Sequence, residues 1–154
     1  MADPSRFPRG EVAIVGIGCT EYTKDSGVGV FDLAARSVVA AVEDAGLTLS
    51  DVDGLCTFGP NDSIPPNLLA QGLGIQSLSY YVDQFFGGSV SLTMLGQATI
   101  ALAAGVADCV VCYRALNGRS GTRAGSRTLN CSPMLRRSRF AASFESSRLP
   151  SRLA

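Results

Sequence analysis

Five cysteines (Cys19, Cys56, Cys109, Cys112 and Cys131) supply thiols that could act as nucleophiles or metal ligands, and no histidine accompanies them in the 154 residues. A cysteine or serine nucleophile needs a base to take its proton, and the commonest one is missing. Cys109-Val110-Val111-Cys112 has CxxC spacing, but it lies in an apolar run of strand type. Residues three apart in a strand face opposite sides, so the two sulfurs should diverge and hold neither a metal nor a redox bridge. Gly16-Ile17-Gly18 invites the dinucleotide-binding turn. Its third glycine should stand at position 21, which is Glu21, and the next helix begins only near Val30. Those glycines read as a tight exit from a strand. Phe85-Phe86-Gly87-Gly88-Ser89 leads into an uncharged helix. Free N–H groups and the positive end of the dipole at such a start suit an oxyanion or a thioester carbonyl. Gly87, Gly88 and Ser89 are therefore the substrate-binding candidates. The plainer alternative is that Ser89 only caps the helix and the glycines allow close packing.

The elements that position these residues follow from periodicity. Val12 to Gly18 is a continuous apolar run bounded by glycine, the pattern of a buried parallel strand. Phe31, Ala34, Val38, Val42 and Ala45 recur at helical spacing, with Asp32, Arg36, Glu43 and Asp44 outside and Gly46 at the helix end. Thr48 to Asp51 forms a capped turn, and Gly54 to Phe58 a second strand. Pro65-Pro66 opens a short helix through Leu68, Leu69 and Leu73, which Gly72 and Gly74 end. Leu78 to Asp83 reads as a third strand, Ser89 to Ala104 as the uncharged helix and Asp108 to Tyr113 as a fourth strand. This β-α-β-α-β-α-β order predicts an α/β fold with a mainly parallel sheet. The Ser89–Ala104 helix, roughly 24 Å long at ~1.5 Å per residue, is rich in Ala, Gly, Ser and Thr and should be packed on all sides.

Composition narrows the function classes. Hydrophobic residues are 46% and charged ones 17%, which gives a globular chain with room for one domain. Net charge is zero and offers no support for nucleic-acid binding. Phe85 to Val106 is uncharged and long enough to span a bilayer, yet its small and hydroxylated residues suit a buried helix, not a membrane span. The start has no apolar stretch of secretory type, and the cysteine number is odd, so reduced thiols in a cytoplasmic compartment are expected. The zero charge hides an asymmetry: residues 1–121 hold six basic and twelve acidic residues, and residues 122–154 hold seven arginines and one glutamate. Domain organisation is therefore read as a disordered start at 1–10, a body at 11–121, and an Arg/Ser-rich tail at 122–154. Two readings of the tail stand, a basic disordered arm for an acidic partner or an aberrant end from a shifted reading frame. The abrupt change favours the second.

The opening Val12 to Gly18, Glu43-Asp44-Ala45-Gly46-Leu47, Asp51-Val52-Asp53-Gly54-Leu55 and Ala101 to Val111 together resemble the start of a thiolase. Tyr113 to Gly121 is similar to the lipid-transfer-protein or sterol-carrier-type thiolases, and the resemblance spans about residues 10–121. It implies the first part of a thiolase half-domain, with the central helix packed between two pseudo-equivalent halves. In ordinary thiolases a cysteine at the start of that helix accepts the acyl group. Counting back without gaps from Gly105 and Asp108, its position falls on Gly88. No catalytic residue can be carried over, since the family's histidine and second cysteine come from later in the chain. The resemblance implies a CoA thioester of sterol or fatty-acid type as substrate, with no separate cofactor. The chemistry it implies is acyl transfer or, given Gly88, retro-aldol cleavage beside a small OB-fold partner protein. It also implies a homo-oligomer for full-length members. A non-catalytic fragment, or a lipid-binding or scaffolding protein, is the alternative.

Overall fold

The computed structural model describes residues 10–59, 62–85 and 89–121. Within them the chain runs α1 (Val30–Asp44), a 3₁₀ turn (Leu49–Asp51), β1 (Gly54–Phe58), α2 (Pro66–Leu73), β2 (Tyr80–Gln84), α3 (Val90–Ala103) and β3 (Val110–Cys112). The strands form one parallel sheet in the order β2-β1-β3, with Gly54 opposite both Tyr80 and Val110. This is the expected α/β class with its parallel sheet. The tail at 122–154, the start at 1–9 and candidates Gly87 and Gly88 lie outside the described residues.

Local chemistry explains the element ends. Gly46 takes a φ of 69° just past α1, and its N–H reaches the Glu43 carbonyl at 2.9 Å, the left-handed helix stop read from the sequence. Thr48 and Asp51 close the 3₁₀ turn reciprocally, with the Thr48 N–H 2.8 Å from the Asp51 carboxylate. Those hydrogen bonds hold the Asp51 carboxyl below its usual range. Gly74, not Gly72, ends α2. Gly72 lies inside the helix, where an added Cβ would stand 2.2 Å from the Phe31 ring. Asp53 then organises the sheet. Its carboxylate accepts the N–H groups of Asp108 and Cys109 at 3.0 and 2.9 Å, and its carbonyl accepts those of Ser79 and Tyr80.

Alternation along β1 divides the core. Leu55 is fully buried with Val38, Val42, Leu69 and Tyr113 on the face covered by α1 and α2. Cys56, also fully buried, packs with Met94 and Ala98 on the face covered by α3. The central strand is thus buried on both sides, as parallel sheets require.

Two expectations change in detail. Residues 12–18 form no ladder with any described strand. They lie on α1 instead: an added Cβ at Gly16 would meet the Ala41 carbonyl at 2.2 Å, and one at Gly18 the Ser37 carbonyl at 2.1 Å. Neither glycine has positive φ, so both serve close backbone approach and not a strand exit. Among the described residues no strand lies beside them to bond, and an apolar run becomes a strand only with such a neighbour. Second, α3 buries one stripe, Met94, Ala98 and Ala101, while Leu92 and Ile100 remain 75% and 64% exposed. Among the described residues nothing covers that second face. None of the described helices is long and apolar enough to cross a membrane.

Candidate functional site

Because the strands are parallel, β1, β2 and β3 end on one side of the sheet, at Phe58, Gln84 and Cys112. Ligands of open α/β sheets bind outside these carboxyl ends. The loops that follow them are tied together by side chains of the β3 exit. Arg114 Nη2 lies 2.8 Å from both oxygens of the buried Asp62 carboxylate, with good donor geometry only toward Oδ2. The same guanidinium donates from Nη1 to the Phe58 carbonyl and stacks over the Phe58 ring, 4.5 Å from its centre. Tyr113 donates its hydroxyl to the Ile64 carbonyl at 2.6 Å, and the Thr57 hydroxyl donates to the Tyr113 carbonyl at 3.0 Å. Burial raises the Tyr113 phenol, which therefore stays protonated as the donor of that bond. A Cβ at Gly59 would sit 2.3 Å from Arg114 Nη1 and 2.7 Å from Asp62 Oδ1, so a larger residue there would displace the ion pair.

A hollow of about 190 Å³ opens beside these contacts, lined by Gly59, Ser63, Ile64, Pro65, Asp83 and Phe85. Partial burial raises the Asp83 carboxyl, while Arg114 pulls it the other way. The Ser63 hydroxyl is buried without a hydrogen-bond partner. α3 starts from the same end of the sheet as the segment after β2. Ser89 stands at its N-cap and is exposed, and its side chain makes no capping bond. Its backbone is already helical, at φ −73° and ψ −14°, so the hydroxyl is not turned back on the helix as a cap requires. The plainer role for Ser89 is thus not the one adopted.

None of the described cysteines lines this hollow. Cys109 packs toward the α1 face and Cys112 toward α3, so the CxxC pair diverges as its strand position dictates. Cys112 instead neighbours Cys56 directly across the ladder. A hydrogen bond from Cys56 lowers the Cys112 thiol, and that bond together with burial raises Cys56. Among the described residues no group of three or more His, Cys, Asp or Glu could hold a metal ion. Nothing in the spacing of Asp62, Ser63, Asp83 and Arg114 marks them as a cluster. The available signal was positional: each stands at or just after the C-terminal end of a parallel strand.

No protein-family profile matches the chain. Over 116 residues, 75% of its length, the chain is 46% identical to the steroid side-chain-cleaving aldolase of Thermomonospora curvata. It is 45% identical, again over 116 residues, to the 17-hydroxy-3-oxo-4-pregnene-20-carboxyl-CoA lyase of Mycobacterium tuberculosis. The match takes in 29% and 30% of those proteins, so the chain spans about a third or less of the curated relatives' length. Among solved structures, the Ltp2-ChsH2(DUF35) aldolase superposes with a TM-score of 0.68 at 44% identity, over 75% of this chain and 30% of that one. A monomeric SCP2-thiolase-like protein type 1 of Mycobacterium smegmatis shares the fold, with a TM-score of 0.53 at 22% identity, over 64% of this chain and 22% of that one.

Proposed function

As this chain is a relative of the steroid side-chain-cleaving aldolases within the thiolase superfamily, we propose that it carries the acyl-CoA-binding end of a retro-aldol lyase of steroid side-chain breakdown. The observation that carries this reading is the start of α3. An exposed Ser89 whose side chain makes no capping bond stands at the start of α3, at the C-terminal end of a parallel sheet, in a chain 46% identical to such an aldolase. Donors at a helix start hold negative charge, and in a retro-aldol cleavage the charge develops on the thioester oxygen.

The chemistry follows from the substrate class. A base takes the proton of the β-hydroxyl group, the carbinol carbon becomes a ketone, and the bond to the α-carbon breaks. Its electron pair passes into the thioester as an enolate, which is then protonated to the shortened acyl-CoA. Gly87, Gly88 and Ser89 are the proposed binders of the thioester oxygen. No nucleophile is needed, which fits a glycine at position 88 where acyl-transferring thiolases use cysteine. Asp83, on the edge of the hollow with a raised carboxyl, is the proposed proton carrier from this part of the protein. No cofactor beyond the CoA thioester enters the reaction. A DUF35-type OB-fold partner protein, a homo-oligomeric state and a cytoplasmic location belong to the same proposal.

The exposed apolar face of α3, with Leu92 and Ile100 open to solvent, favours a second reading, a lipid-binding or scaffolding role without turnover. Equilibrium dialysis separates the two. The chain is held against 17-hydroxy-3-oxo-4-pregnene-20-carboxyl-CoA and, separately, against the free steroid acid. Retention of the thioester over the acid supports the lyase reading. Equal retention of both supports lipid binding, and retention of neither refutes both.

A further inference from the structure

Cys56 and Cys112 occupy facing positions of neighbouring parallel strands, so both thiols rise from the same face of the sheet. They share one packing cluster beneath α3 with Met94 and Ala98. Cys109 packs on the other face, and Cys19 lies exposed with its thiol on the Tyr22 hydroxyl. Among the described cysteines, these two alone face each other across a ladder.

The spacing suits a bond between them. Facing residues of neighbouring strands stand about 4.8 Å apart, inside the roughly 4.4–6.8 Å between α-carbons that a disulfide spans. Bridging therefore needs no rearrangement of the backbone. The β-carbons of a relaxed disulfide lie closer, at about 3.8 Å, so the bond would draw both side chains inward and hold some strain. Strained disulfides are the labile ones, whereas structural ones resist reduction by glutathione.

The two thiols also differ in the way a reactive pair requires. Cys112 is half-buried, and Cys56 is fully buried. The Cys56 thiol donates a hydrogen bond that favours the Cys112 thiolate, and that bond together with burial keeps Cys56 protonated. Cys112 is thus the thiol an oxidant meets first, with its resolving partner already in contact.

We propose that Cys56 and Cys112 form a site of reversible thiol oxidation, with hydrogen peroxide as the oxidant. The Cys112 thiolate attacks one peroxide oxygen, the O–O bond breaks, and hydroxide leaves to be protonated to water. Cys112 then carries a sulfenic acid. The Cys56 thiol attacks that sulfur, the S–O bond breaks, and a second water leaves as the disulfide forms. Two thiols have given up two hydrogens, and one peroxide has become two waters. Two molecules of a monothiol such as glutathione reverse the bond by exchange and leave as their own disulfide.

The test treats the folded full chain with hydrogen peroxide, alkylates the remaining thiols, digests without reduction and maps the peptides by mass. The expected result is a loss of two hydrogens per chain, located in a Cys56–Cys112 bridge. Reduced glutathione, added to the folded product, should restore both thiols. Cys56→Ala removes the resolving thiol and should halt at a sulfenic acid on Cys112, which dimedone traps. Cys112→Ala should leave Cys56 unoxidised. A bridge from Cys112 to Cys109 or Cys131 would overturn the proposal, as would oxidation of Cys19 with Cys112 untouched. So would sulfenic acid persisting on Cys112 in the parent chain. A Cys56–Cys112 bridge that glutathione leaves intact would also overturn it, by making the bond a structural tie.

Discussion

Arg114 and the buried Asp62 form an ion pair across the carboxyl end of the sheet, at 2.8 Å, that binds the loop after β1 to the exit of β3. Asp62's side chain is 1% exposed, so removing the cation leaves a charge with little water to receive it. Arg114→Met should cost about 3–5 kcal/mol, and the double variant Arg114→Met/Asp62→Leu should recover a large part of that. Urea midpoints of the three proteins measure both. A double variant no more stable than the single one would show that the cost lies in lost packing on Phe58.

Gly18 gives a test of how residues 12–18 are held. A Cβ there would stand 2.1 Å from the Ser37 carbonyl and 2.4 Å from the Ala41 nitrogen, both backbone atoms of α1 that cannot swing aside. Gly18→Ala should destabilise the protein by about 1–3 kcal/mol, or release the segment from α1. Denaturant melts read the first outcome, and proteolysis near Lys24 the second. A variant unchanged in both would remove the contact with α1 from the account.

Asp83 sets a pH dependence. Its carboxyl is raised, by burial first, so the folded protein keeps the proton at pH values where the unfolded chain has released it. Stability from this group is full below the unfolded value of 3.8 and is lost as pH rises through the raised folded value. Asp83→Asn removes that loss. The variant's melting temperature should therefore gain on the parent's between about pH 4 and pH 7. The gain is small, because most of the carboxyl is in water. A difference that stays constant over the interval would contradict the raised carboxyl.

Thiol reactivity separates the two faces of β1 from the surface. Cys19 is exposed, and Cys56 is fully buried beneath α3. A maleimide should label Cys19 in the native protein and Cys56 only after unfolding, as peptide mass mapping would show. Labelling of Cys56 at the rate of Cys19 would mean that α3 lifts readily from the sheet.

Helix and strand positions were legible wherever local chemistry decides them. Gly46 past α1, the Thr48–Asp51 turn, Pro66 opening α2 and the β-rich Gly54–Phe58 run all carry their signal within a few residues. The divergence of Cys109 and Cys112 was legible for the same reason, since strand alternation is local. Residues 12–18 were not, because an apolar run becomes a strand only with a neighbour to bond, and that neighbour is a matter of tertiary structure. The uniform small-residue composition of α3 signals burial on all sides, while the sheet supplies one side only. The Arg114–Asp62 pair joins residues 52 positions apart with no periodic pattern between them, so the cluster at the carboxyl end could be found only in three dimensions.

In the proposed function the CoA thioester binds at the carboxyl end of the sheet, beside the start of α3. Titration of isotopically labelled protein with 17-hydroxy-3-oxo-4-pregnene-20-carboxyl-CoA, followed by amide chemical shifts, tests it most directly. The expected shifts gather at Gly59, Ser63, Asp83, Ser89 and Val90 and leave Asp53, Asp108 and Cys109 at the opposite end unmoved. Shifts confined to that opposite end, or no shifts at saturating thioester, would contradict it.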